Sequence, residues 1–218
     1  LKAIDPYFYK VFTQGIWGNK KNDSPFVFAY DPDKHNHRPA LNTQEILYLS
    51  FDFNVDPICC SVIQLYDDHL DVIRLIKLAN SDIYQLCDHI KSLYSRQSLM
   101  ITGDATGKNR SALTKGNIHY YTVIKNELGV SSMQIKVPNV NPPIERNGLL
   151  VNGVLSQYDV RIHDIDAQAL IYDFKNVRKR ADGSIEKGNR DDPAQQADAL
   201  DTFRYFCNTF MRPYINMI

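Results

Sequence analysis

The chain has 218 residues, 44% of them hydrophobic and 23% charged, with 25 Lys+Arg against 25 Asp+Glu. That length suits one good-sized domain of ordinary globular composition. With the charges balanced, any nucleic-acid reading must rest on local charge, and no run approaches the ~18 apolar residues of a membrane span.

Cys59, Cys60, Cys87 and Cys207 show neither CxxC spacing nor a disulfide framework. They read as reduced thiols in a cytosolic setting. No signal peptide is visible. Residue 1 is Leu, so the chain is expected to be a domain excised from something longer.

In chain order, residues 1–46 are irregular and aromatic-rich and read as an arm or linker packing on a domain at 47–212. Within the arm, Phe26–Tyr30 suggests a short strand. Asp33–Arg38, which holds His35 and His37, is polar throughout and reads as a solvated loop rather than a metal site. Strands are predicted over 47–53, 58–66 and 69–78, joined by short polar connections into an antiparallel meander. A helix follows, capped by Ser81 or Asn80, with Ile83, Leu86, Cys87, Ile90 and Leu93 at helical spacing. Ser98–Asp104 is a short buried strand, 112–128 a helix ending at Gly129, and Met133–Val137 another strand closed by Pro138. Helices over 144–157 and 165–174 flank an extended Val160–His163. The last helix runs from about Pro193 to Met211. The order of elements predicts an α/β mixed sheet, three antiparallel strands and then parallel ones, flanked by helices.

Asp52 ends the first strand. A charge in an otherwise buried strand costs several kcal/mol, roughly, unless it is paired or binds a metal. Asp104 ends the fourth strand after Gly103, and ligand sites of open α/β sheets lie at strand carboxyl ends. Asp198 and Asp201 are three residues apart on the last helix and share a face. An all-oxygen set of Asp52, Asp104, Asp198 and Asp201 selects Mg²⁺ or Mn²⁺. Two such ions about 3.5–4 Å apart suit phosphodiester hydrolysis. Asp56, just before Pro57, reads as a turn former. Gly103–Asn109 resembles a Walker A loop but has one residue too few between its glycines and Asn109 in place of Ser or Thr. It reads instead as presenting Asp104, with Lys108 and Arg110 near a DNA phosphate. Lys175, Arg178, Lys179, Arg180, Lys187 and Arg190 surround an Asp182-Gly183 turn signal, which predicts a basic β-hairpin that tracks phosphates.

Three stretches carry a resemblance: Ser50-Phe-Asp52-Phe-Asn-Val-Asp-Pro57, Thr102-Gly-Asp104-Ala-Thr-Gly107 and Asp198-Ala-Leu-Asp201-Thr-Phe-Arg-Tyr205. Together they resemble the C-terminal nuclease domain of tailed-bacteriophage terminase large subunits, loosely over residues 25–212, with the region around Trp17 resembling the lead-in from the motor domain. The resemblance implies a ribonuclease H-like fold and a divalent-metal endonuclease, with two Mg²⁺ or Mn²⁺ ions on a catalytic triad of Asp52, Asp104 and Asp201. Asp198 stands where many members place a His or another acid. The implied task is cutting concatemeric viral DNA in the host cytoplasm. Implied partners are double-stranded DNA, an ATPase domain not present in this chain, a small terminase subunit and a portal; the isolated domain is expected to be monomeric. Two alternatives stay open, a junction resolvase or integrase-like nuclease of the same fold and a non-catalytic DNA-binding module.

Overall fold

The computed structural model describes residues 25–54, 56–109, 118–186 and 197–215. The region around Trp17, Arg110, Lys187, Arg190 and the expected start of the last helix at Pro193 lie outside them. Near the N-terminus, α1 (Pro32–His35) is one helical turn capped by Asp31 and runs into β1 (Asn36–His37). Next come β2 (Leu47–Asp52), β3 (Ile58–Leu65) and β4 (His69–Leu78), each rich in β-branched or aromatic residues; β2 and β3 are almost wholly buried, and β4 is partly exposed at its ends and at Arg74. The helix α2 (Ile83–Tyr94) starts at Asp82, not at Ser81 or Asn80: the Asp82 side chain and Gln85 form a reciprocal capping box. β5 (Leu99–Gly103), α3 (Tyr120–Glu127), α4 (Ile144–Gln157), β6 (Asp159–His163), α5 (Gln168–Asn176) and α6 (Asp198–Phe206) follow.

The strands pair in the order β1-β6-β4-β3-β2-β5. β2, β3 and β4 are antiparallel neighbours, while β5 joins β2, β6 joins β4 and β1 joins β6 in parallel. This is the mixed sheet expected, three antiparallel strands and then parallel ones. Two cores cover its faces. Leu47, Leu49 and Phe51 pack with α2 and α3 on one face. On the other, Val160, Ile162 and Leu70 pack with α4, α5 and α6.

Three expectations change. Phe26–Tyr30 is not a strand: Phe26 and Val27 enter the second core one by one, and a Cβ at Gly148 of α4 would lie 2.6 Å from the Phe26 ring. Asp33–Arg38 is solvated at Asp33, Lys34, His37 and Arg38 but is not a loop: it spans the end of α1 and all of β1, and His35 within it is fully buried with its ring nitrogens at Asp31 O and Leu155 O. Met133–Val137 contributes a 3₁₀ turn and a single parallel bridge from Ile135 to Ile101. Pro138 follows directly and has no N–H to extend a ladder.

Candidate active site

β2 alternates. Leu47, Leu49 and Phe51 face the first core, so Tyr48, Ser50 and Asp52 face α6. The register places Asp52 opposite Cys59, and Cys59 opposite Lys77. Directly opposed residues of antiparallel strands share a face, so Asp52, Cys59 and Lys77 form a row across three strands. β5 extends it. Phe51 pairs with Gly103, and the Asp104 N–H donates to Phe51 O at 3.0 Å, which sets Asp104 beside Asp52. A Cβ at Gly103 would lie 2.4 Å from Phe51 O, and φ is +148° there, so only glycine allows this approach.

One residue pair further down the strands is a row of hydroxyls. Ser50 pairs with both Ser61 and Thr102. Ser50 Oγ donates to Thr202 O at 2.6 Å, Ser61 Oγ bonds Thr202 Oγ1, and Thr102 Oγ1 bonds Thr209 Oγ1 at 2.8 Å. These small polar contacts seat α6 close on the sheet. They bring Asp198 and Asp201, three residues apart in its first turn, over the carboxylate row. The helix N-terminus favours both charges. Ala197 just before it is fully buried with φ +59°, a left-handed conformation uncommon outside glycine.

Asp52 and Asp198 are 4% and 0% exposed, and Asp201 is buried too. Asn54 Nδ2 donates to Asp52 Oδ2 at 2.5 Å and to Asp198 Oδ1 at 2.8 Å, so one amide bridges two carboxylates. Asp201 is ion-paired with Arg204, whose Nε donates to Asn147 Oδ1 of α4 at 3.0 Å. Asp104 accepts from Thr106 N–H, Thr106 Oγ1 and Asn141 Nδ2 at 2.7–2.8 Å. Tyr205 of α6 is buried. Burial first, and then the charges of Asp201, Asp52 and Asp104, push its hydroxyl pKa far up. Tyr121 donates to Asp104 O at 2.7 Å and is raised by burial, then by Asp104, Tyr205 and Asp52. The Cys59 thiol is raised by burial and by Asp198 and Asp52, against Lys77.

The structure thus gathers Asp52, Asp104, Asp198 and Asp201 at one end of the sheet. Among the described residues, no three His, Cys, Asp or Glu side chains already stand as a metal-binding group. The donor set is nevertheless anionic and all-oxygen, buried at Asp52, Asp198 and Asp201 and half-buried at Asp104, and it fits a hard divalent cation. Asp56 lies apart, accepting Asn80 N–H at 3.0 Å in its turn. Lys108 is also placed differently: its ammonium donates to Val137 O and Pro138 O at 2.8 and 3.1 Å, tying down the loop after the Ile135 bridge. The basic segment does turn at Ala181–Ser184, with Lys179 bridging Ile185 and Arg180 N–H bonded to Ser184 O. Lys175 and Arg180 are exposed, Arg178 is half-buried and Lys179 is buried. The turn packs on α4, since a Cβ at Gly183 would meet Glu145, two residues from Asn147.

Sequence reasoning missed Asn54, Lys77, Asn141, Asn147 and Asp173. Asp173 of α5 is buried and accepts Leu200 N–H at 2.9 Å. Its pKa is raised to about 6, chiefly by burial and further by Asp198 and Asp201. Its position between Leu170 and Phe174 on the apolar face of a helix was the available signal.

No protein-family model and no curated protein matches the sequence. Solved structures do. The large terminase from a thermophilic bacteriophage matches at 14% identity and a TM-score of 0.70, over 96% of this chain and 51% of that one. This chain therefore spans about half the length of that protein. The P22 large terminase nuclease domain matches at 14% identity and a TM-score of 0.61, over 88% of this chain and 94% of that one. The large terminase nuclease from thermophilic phage G20c with bound cobalt matches at 14% identity and a TM-score of 0.51, over 84% and 95%. Over most of its length, this chain has the ribonuclease H-like fold of the bacteriophage large-terminase nuclease domains.

Proposed function

We propose that this chain is a divalent-metal-dependent DNA endonuclease, the nuclease part of a large terminase that cuts concatemeric viral DNA during packaging. One observation carries the reading: Asp104 follows the strand paired with the end of β2, beside Asp52, and Asp198 of α6 is bridged to Asp52 through Asn54, with Asp201 three residues further along the same helix. Likeness to the P22 and G20c nuclease domains, the latter a cobalt complex, supports it. Asp52, Asp104 and Asp201, with Asp198, would hold two Mg²⁺ or Mn²⁺ ions. When bound, such ions activate water and stabilise the leaving oxygen of a phosphodiester.

The remaining tasks fall to the chain's own groups. Arg204, braced by Asn147, fixes one oxygen of Asp201. Thr106 and Asn141 fix the rotamer of Asp104. The Ser50 hydroxyl on the Thr202 carbonyl and the Ser61 hydroxyl on the Thr202 hydroxyl hold α6 at its distance from β2 and β3. Lys77 adds a cation to the carboxylate row. Lys175, Arg178 and Arg180 hold the backbone of double-stranded DNA. An ATPase domain, a small terminase subunit and a portal complete the assembly in the host cytoplasm.

The test is nicking and linearisation of supercoiled plasmid in Mn²⁺. The parent chain cuts, whereas Asp52→Asn keeps its fold by circular dichroism and does not. Undiminished cutting by Asp52→Asn sinks the assignment.

A further inference from the structure

Asn54 follows β2 by two residues and is half-buried. Its side-chain nitrogen gives one hydrogen to Asp52 Oδ2 and the other to Asp198 Oδ1, joining segments 144 residues apart. A carboxamide nitrogen carries two donors and no acceptor. It can bridge two carboxylates, but it cannot coordinate a cation, and being neutral it leaves both charges in place. A cation that takes Asp52 Oδ2 and Asp198 Oδ1 as ligands has to displace the amide that now joins them.

We infer that Asn54 is a positioning residue that holds Asp52 and Asp198 together until a divalent cation displaces its amide, and so sets how tightly that cation binds. The inference rests on the metal-dependent reading of the site given above. Its consequence is a pair of effects with opposite signs. Removing the amide leaves two buried carboxylates side by side without their shared donor, which lowers stability when no cation is present. The same removal spares an entering cation the displacement, which strengthens binding. A side chain with a merely structural role would lower stability and cation binding together.

The experiment uses the whole chain, with Mn²⁺ as the probe, followed by titration calorimetry and by thermal unfolding in EDTA. Asn54→Ala is expected to bind Mn²⁺ roughly tenfold more tightly than the parent, the loss of about one charge-assisted hydrogen bond, and to melt several degrees lower in EDTA. Asn54→Ser keeps one donor and falls between the two, and it serves if the alanine variant does not fold. Equal or weaker Mn²⁺ binding by the variants, with binding by the parent intact, overturns the competition while leaving the metal site standing. Failure of the parent to take up Mn²⁺ overturns the reading of the site and the competition with it.

Discussion

Gly103→Ala puts a methyl group where β2 and β5 touch. The added Cβ would lie 2.4, 2.8 and 3.0 Å from the O, N and C of Phe51, and φ is +148°. These neighbours are backbone atoms, and Phe51 O already accepts Asp104 N–H, so relief requires the strand ends to part. A backbone conformation reserved for glycine costs of order 1–3 kcal/mol, and overpacking typically adds ~1–3 kcal/mol. Together these give about 2–6 kcal/mol, or a Tm lower by roughly 5–20 °C for a chain of this size. The displacement falls between Asp52 and Asp104, so Mn²⁺ binding weakens along with stability. Gly129→Ala is the control. Its φ is +64° with nothing within 4 Å of the added Cβ, so only the left-handed cost of ~1–2 kcal/mol applies and Mn²⁺ binding is untouched. Thermal and urea unfolding with parallel Mn²⁺ titration measure both variants. A Gly103→Ala protein with parental Tm and Mn²⁺ affinity would refute the close approach as the device that aligns the two acids.

Asp173 has its folded pKa raised to about 6, so its burial leaves stability untouched below the unfolded value near 3.9 and lowers it as pH rises through 6, by about 3 kcal/mol at most. Asp173→Asn keeps an acceptor for Leu200 N–H and is expected to be more stable than the parent at pH 7.5 in EDTA, with the gap closing near pH 4; a gap independent of pH in urea unfolding contradicts this. Phe26→Ala removes a buried ring packed on Gly148 and should cost ~3–5 kcal/mol; a loss under about 1 kcal/mol would mean that residues 25–30 do not belong to the core. Lys175→Ala and Arg180→Ala should each weaken duplex binding independently of sequence and lower the slope of log K against log salt by about 1, and an unchanged slope would remove that residue from the DNA interface.

The central meander was legible because its strands carry their own signals. Leu47–Asp52, Ile58–Leu65 and His69–Leu78 are apolar, β-branched and separated by turns. α4 was legible despite Gly148 and Gly153, since its apolar positions keep helical spacing through both. What failed depended on partners distant in the chain. Phe26–Tyr30 has strand composition, but among the described residues no strand pairs with it over its length. His35 is polar by type, yet Leu155 O, 120 residues away, makes its burial tolerable. The site divides the same way. Asp52 and Asp104 could be read from strand ends, because each closes an apolar run. Asn54 could not, because its role exists only once α6 delivers Asp198 beside it. Asp173 was hidden by a helix whose apolar neighbours dominate its pattern. Lys108 misled because its place after a glycine-rich turn suggests a phosphate, whereas the carbonyls of Val137 and Pro138 take its ammonium.

The most direct test is a crystal structure of this chain grown in millimolar Mn²⁺, with anomalous diffraction recorded at the manganese edge. The account predicts two peaks within about 4 Å of each other, bounded by carboxylate oxygens of Asp52, Asp104 and Asp201, with Asn54 turned away from the Asp52–Asp198 pair. Anomalous peaks elsewhere, or none at these carboxylates under conditions in which the protein cuts DNA, would contradict it.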